Sequence, residues 1–157
     1  MNFRRFVVAC LTVLTIALLC PSLTFASDQA DVTAAVHQYF DNLDPAKLQT
    51  SLSMCDSNVS ILDEFPPHEW HGASACADWF KAWGAYNEKN GITDPAAALG
   101  TAWSVDVNGD RAYFVSPATY SYKQHGKSVN EAHAVFTAAL RKTTAGWRIT
   151  AWSWSRH

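Results

Sequence analysis

The chain has 157 residues, a formal net charge of −2 and 48% hydrophobic residues. That is enough apolar material for one domain with a core, and the absence of a basic run excludes nucleic acid and anionic lipid as expected partners. Arg4-Arg5 precede an apolar run from Phe6 to Leu19, and "CPSLTFAS" offers small residues for cleavage after Ala26. The run is short for a bilayer span and has signal-peptide flanks. Residues 1–26 are therefore expected to be a leader and residues 27–157 a mature domain, secreted or periplasmic and free of the membrane after cleavage; an uncleaved anchor is the alternative. Losing Arg4 and Arg5 takes the formal net charge from −2 to −4. Cys10 and Cys20 leave with the leader. Cys55 and Cys76 remain, an even pair in an exported chain, and are expected to form a disulfide; two buried free thiols are the alternative.

Along the mature chain, Val32, Val36, Tyr39 and Leu43 recur at helical spacing, with Ser27 or Asp28 as a cap. "NLDP" ends that helix, and Asp44-Pro45 supply the cap and first position of a short second one through Leu48 and Leu52. A strand over 58–65 follows, in which Asp63 shares a side with Ile61 and Phe65, before Pro66-Pro67 turns the chain into a loop. "GASACADWFKAWGAYNEKNG" predicts a third helix with Ala73, Ala77, Phe80, Trp83 and Asn87 along one side, closed by Asn90-Gly91. From residue 96 the period becomes two. Four strands are expected over 96–107, 111–124, 128–142 and 147–156, joined by hairpins at Asn108-Gly109-Asp110, "KQHGK" and "KTTAG". Pro117 predicts a bulge or an edge. Helices first and a long meander after make an α+β domain, its helices on one face of a curved, mainly antiparallel sheet. Strict alternation puts Trp152 and Trp154 opposite Trp147, Ile149 and Ala151. Such a sheet is apolar on both faces and predicts a homodimer through the second one.

This layout, with "Y-x-x-x-L-D-x-x-K-L" from Tyr39 to Leu48 and "G-W-R-I" from Gly146 to Ile149, resembles the nuclear-transport-factor-2-like superfamily. Within it, the chain is most similar to SnoaL-like and ketosteroid-isomerase-like exported domains, over residues 28–156. The resemblance implies a cone, with the sheet wrapped round the helices and a pocket at one end. It implies no single chemistry, because the superfamily hosts isomerases, dehydratases, cyclases, hydrolases and binding domains. In the ketosteroid isomerases a tyrosine of the first helix and an aspartate of the first strand face the pocket. Tyr39 and Asp63 fall on those two positions. The family's second acid, on a later strand, falls on Ala138 beside Thr137, and neither can supply it.

Asp63 is accordingly the candidate general base, raised by desolvation; the alternative is an aspartate capping the turn at Pro66. Tyr39 is the candidate donor to a ligand carbonyl, or else a core tyrosine. "HEWH", His68 to His71, lacks the spacing that puts two histidines on one helical face. His71 is read as a pocket-rim residue, a divalent ion on His68, His71 and Asp63 or Glu69 being the other reading; no metal and no cofactor is expected. His133 is either an acid–base partner across the pocket or a wall residue of the outer face. Among seven tryptophans, Trp83 is a candidate for the pocket wall, which favours a small hydrophobic or aromatic ligand. Asn58-Val59-Ser60 is a glycosylation sequon, meaningful in a eukaryotic source alone. Two functions follow: an exported small-molecule-binding domain with proton-transfer chemistry at Asp63 and Tyr39, or a non-catalytic interaction or dimerisation domain.

Overall fold

Val32, Val36 and Tyr39, the stripe that marks the first helix, are all buried. A computed structural model describes residues 22–156, so the expected leader up to Pro21, with Cys10 and Cys20, lies outside the described residues. Helix α1 (Ser22–Phe40) starts ahead of the expected cap. Asp28 is instead bonded to Lys142 Nζ at 2.5 Å and fastens the helix to the sheet. The Asp44 carboxylate accepts from the Ala46 N–H at 2.7 Å, which holds a turn where a longer second helix was expected; α2 is confined to Leu48–Leu52. Ser51 Oγ donates to the Tyr39 carbonyl at 2.8 Å, so α2 ties down the end of α1 that carries Tyr39.

The sheet runs β2-β1-β7-β6-β5-β3, with β4 also on β5. Its strands are β1 (Cys55–Leu62), β2 (Glu69–Gly72), β3 (Ile92–Leu99), β4 (Ser104–Asn108), β5 (Arg111–Gln124), β6 (Lys127–Thr143) and β7 (Gly146–Arg156). The β1–β7 pair is parallel and all others are antiparallel. The helices cover the concave side, over a core that includes Phe114, Phe136, Leu140 and Ile149. Near the start of β1, Asp56 takes Arg141 Nη2 at 2.7 Å and anchors that end of the strand to β6.

Four expectations need correction. Glu69, Trp70 and His71 of "HEWH" lie in a strand, and His68 alone stays in the loop: Trp70 turns inward onto Phe65, centroids 5.1 Å apart, while Glu69 and His71 face out, a period-two pattern too short to stand out. Helix α3 (Ala75–Lys89) buries Cys76, Trp79 and Asn87, with Trp83 partly buried, and leaves Ala73 and Ala77 exposed. The Cys55–Cys76 disulfide is formed, and it pins this face of the helix to β1. The first strand of the meander is two strands, broken at residues 100–103 opposite Pro117. There Gly100 N–H donates to the Pro117 carbonyl and Trp103 N–H to the Val115 carbonyl, both at 2.8 Å. A proline has no N–H to give a neighbouring strand, and the gap falls where it would have been needed.

The fourth concerns the tryptophans of β7. Ala139 pairs with Ala151 but Leu140 with Ile149, so β7 holds one extra residue, a β-bulge at Thr150. The bulge resets the alternation, and Trp147, Ile149 and Trp152 are all buried on the concave side. The premise of two aromatic faces therefore fails on this strand. The convex side carries small residues of β6 and β7 beside the exposed Leu62 and Tyr113.

Candidate active site

A cavity of about 300 Å³ opens between the C-terminal end of α1, helix α3, the end of β1 and the concave faces of β3, β5, β6 and β7. Tyr39, Asp63 and Trp83 line it together. Tyr39 arrives on the last turn of α1. Asp63 arrives just past β1, where Val59 and Ile61 set an inward phase that reaches it two residues on.

The Asp63 carboxylate accepts two hydrogen bonds, from Trp79 Nε1 to Oδ2 at 2.8 Å and from the Glu64 N–H to Oδ1 at 2.7 Å. Its own N–H donates to the His68 carbonyl at 3.0 Å, which fixes the backbone at this point. Burial pushes the carboxyl up to about 6, and the two hydrogen bonds, which favour the charged form, hold it from going higher. The phenol of Tyr39 is raised well above its ordinary value, chiefly by burial, against a smaller opposing pull from the neighbouring Trp152 indole N–H, and further by the nearby Asp63 charge, so it stays a proton donor. Its hydroxyl has no hydrogen-bond partner among the described residues, nor has Trp152 Nε1, and both residues are almost completely buried on the lining. The Tyr120 hydroxyl, also unpartnered, lies on the same lining.

Rings make the walls. Trp79 and Trp83 stack at 5.9 Å, and Trp152 stands edge-on to Trp79 at 4.8 Å. Phe40 stacks on Trp154 at 6.1 Å. The arrangement can hold a flat molecule, offer donors to an electronegative atom, and present a carboxylate that changes protonation near neutrality.

At the mouth stands a polar clasp that the sequence reading missed. Arg156 reaches Glu64 through Nε and through its main-chain N–H, and its Nη1 lies 2.7 Å from Glu131 Oε1. Tyr122 donates to the same Glu131 oxygen at 3.0 Å. Glu64, on the strand side opposite Asp63, is thus held in this clasp. Strict alternation along β6 would put Glu131 with Val135 and Thr137, opposite the buried Ala134 and Phe136. However, Ala118 pairs with Ala134 and Tyr120 with Glu131, which leaves an extra residue on β6 and turns Glu131 inward. A pocket acid thus exists on a later strand, seven residues before Ala138, which is buried and off the lining. No local signal in the sequence marks that bulge.

Two nominated residues lie elsewhere. His71, on the exposed side of β2, faces away from the cavity toward Ser60 Oγ, 3.1 Å, and Glu69 Oε2, 3.3 Å, because Trp70 takes the inner side. His133 sits exposed at the β6 bulge, outside the lining. Among the described residues no group of three or more His, Cys, Asp or Glu is gathered as a metal site requires.

Comparison with known proteins decides the family. The SnoaL-like domain family matches residues 30–156. The chain belongs to it. No curated protein matches the sequence. Among solved structures, this SnoaL-like chain is similar to an NTF2-like protein with a cystatin-like fold from Novosphingobium aromaticivorans. They share 18% identity with a TM-score of 0.69, over 86% of this chain and 85% of that one. A putative dehydratase of the NTF2-like family from Streptomyces avermitilis aligns with a TM-score of 0.66 and 16% identity, covering 84% and 98%. A hexachlorocyclohexane dehydrochlorinase from Novosphingobium barchaimii aligns with a TM-score of 0.71 and 13% identity, covering 87% and 90%. At these identities the likeness establishes the NTF2-like fold of the SnoaL-like domain, and its chemistry has to be argued from its own cavity.

Proposed function

We propose that this SnoaL-like domain binds a small, largely hydrophobic molecule in its cavity and moves a proton of it. Asp63 acts as general base, and Tyr39 and Trp152 donate to the atom on which negative charge develops. One observation carries the reading: a half-buried carboxylate near neutrality shares a ring-walled cavity with two buried donors, side by side, that meet no acceptor at hydrogen-bond geometry among the described residues. Burying an unpaired donor is costly, and a ligand acceptor would remove the cost. Elimination is the favoured reaction class, since a dehydratase and a dehydrochlorinase are among the similar structures by their names.

A generic test is the ring-opening elimination of a nitro-substituted benzisoxazole. A base takes the ring C–H proton, its electron pair forms the nitrile, and the N–O bond breaks to a phenoxide. Enzyme-dependent turnover should rise with pH through about 6 and be lost in Asp63→Asn. Absence of turnover, or its survival in Asp63→Asn, refutes the assignment.

The signal-peptide-like pattern of residues 1–26 and the disulfide together support export to an oxidising compartment. N-terminal sequencing of the processed chain should begin at Ser27. For the convex side, exposed Leu62 and Tyr113 favour self-association. Sedimentation of the wild type beside Leu62→Glu tests it, with a concentration-dependent dimer expected in the first alone.

A further inference from the structure

Charge around the cavity is uneven. Among the described residues five carboxylates line it, those of Asp41, Asp44, Asp63, Glu64 and Glu131, against the single guanidinium of Arg156. That guanidinium is already engaged by Glu64 on one side and Glu131 on the other. Asp41 and Asp44 stand just past the end of α1, whose last carbonyls add partial negative charge at the same place. Asp41 is met by His37 Nδ1 at 3.2 Å, and Asp44 by a main-chain N–H; among the described residues no lysine is on the lining. An incoming carboxylate or phosphate would meet like charge and no free cation.

The walls act in the same direction. The faces of stacked Trp79 and Trp83, and of Tyr120 and Tyr122 with centroids 5.0 Å apart, carry the negative side of the ring quadrupole. Tyr39 and Trp152, fully buried and unpartnered on the lining, call for an acceptor at the inner end. A ligand with an acceptor inside and a positive charge outside satisfies both ends.

We propose that the ligands of this cavity are cationic: a flat ring body bearing a protonated amine that rests at the mouth among Asp41, Asp44, Glu64 and Glu131, and no anionic group. The inference rests on the cavity being a small-molecule site, and is independent of whether Asp63 catalyses anything.

Three probes of one shape separate the cases: tryptamine, tryptophol and indoleacetate, titrated calorimetrically into the mature protein. Tryptamine should bind at least tenfold more tightly than tryptophol, about 1.4 kcal/mol, and indoleacetate should not bind measurably. The tryptamine advantage should shrink as salt is raised and fall severalfold in Glu131→Gln. Because Glu131 also holds the clasp, an Asp41→Asn/Asp44→Asn double variant, altered at exposed positions, provides a second reading in the same direction. Equal binding of tryptamine and tryptophol, or binding of indoleacetate, overturns the charge preference while leaving the cavity reading intact. Failure of all three probes to bind overturns both.

Discussion

Replacing Asp63 by Asn should stabilise the protein at neutral pH and destabilise it in acid. The carboxyl sits at about 6 in the folded chain, against 3.8 without the fold. At about 1.4 kcal/mol per tenfold change in proton affinity, that difference is worth about 3 kcal/mol. The folded state holds the proton more tightly than the unfolded state. Its contribution is therefore fully present below pH 3.8, declines as pH rises, and is gone above about 6. Asn is neutral throughout and escapes the loss. It has one oxygen for two donors, Trp79 Nε1 and the Glu64 N–H, and leaving one unmet costs about 1 kcal/mol. The net is about 2 kcal/mol of added stability at pH 7, roughly 8 °C in Tm for a domain of this size, and about 0.5 kcal/mol of loss at pH 4. Urea unfolding of both proteins between pH 4 and pH 8 measures it. The difference should change sign at about pH 4.5. A variant weaker at every pH, or a difference that does not move with pH, refutes the reasoning that desolvation governs this carboxyl.

Tyr39→Phe removes a hydroxyl that has no hydrogen-bond partner among the described residues, so urea unfolding should show no loss and up to about 1 kcal/mol of gain, while benzisoxazole turnover falls about 100-fold. Trp79→Phe deletes the N–H that favours the charged form of Asp63, and the midpoint of the pH–rate profile should move above that of the wild type; an unmoved midpoint would remove Trp79 from this role. The Cys55→Ser/Cys76→Ser variant opens a link spanning 21 residues and should cost about 3 kcal/mol by urea unfolding, as would reduction of the native protein.

How legible was all this beforehand? Tyr39 could be placed because α1 is a plain amphipathic helix, and its stripe of Val32 and Val36 leads straight to it. Asp63 could be placed because alternation holds from Val59 through Ile61. Both inferences used a local period that nothing interrupts. Glu131 and Trp152 were invisible for the opposite reason: each lies beyond a one-residue bulge, and a bulge reverses every side chain after it without leaving a mark in composition. The phase of α3 was misjudged, with Cys76 and Trp79 taking the inner face in place of Ala77 and Phe80, because the covalent bond at Cys76 holds the roll of the helix. Arg156 carries no signal at all, since an arginine near the end of a strand reads as a solvated terminus.

The bulge at Thr150 makes the composition of the cavity a matter of counting as much as of chemistry. Excising that single residue would swing both distal indoles of β7 to the outside of the cone and bring serines in, with no ring altered. Within such a cone, a lineage could change what it holds by losing or gaining one residue between two strands, a shorter route than rebuilding the lining one side chain at a time.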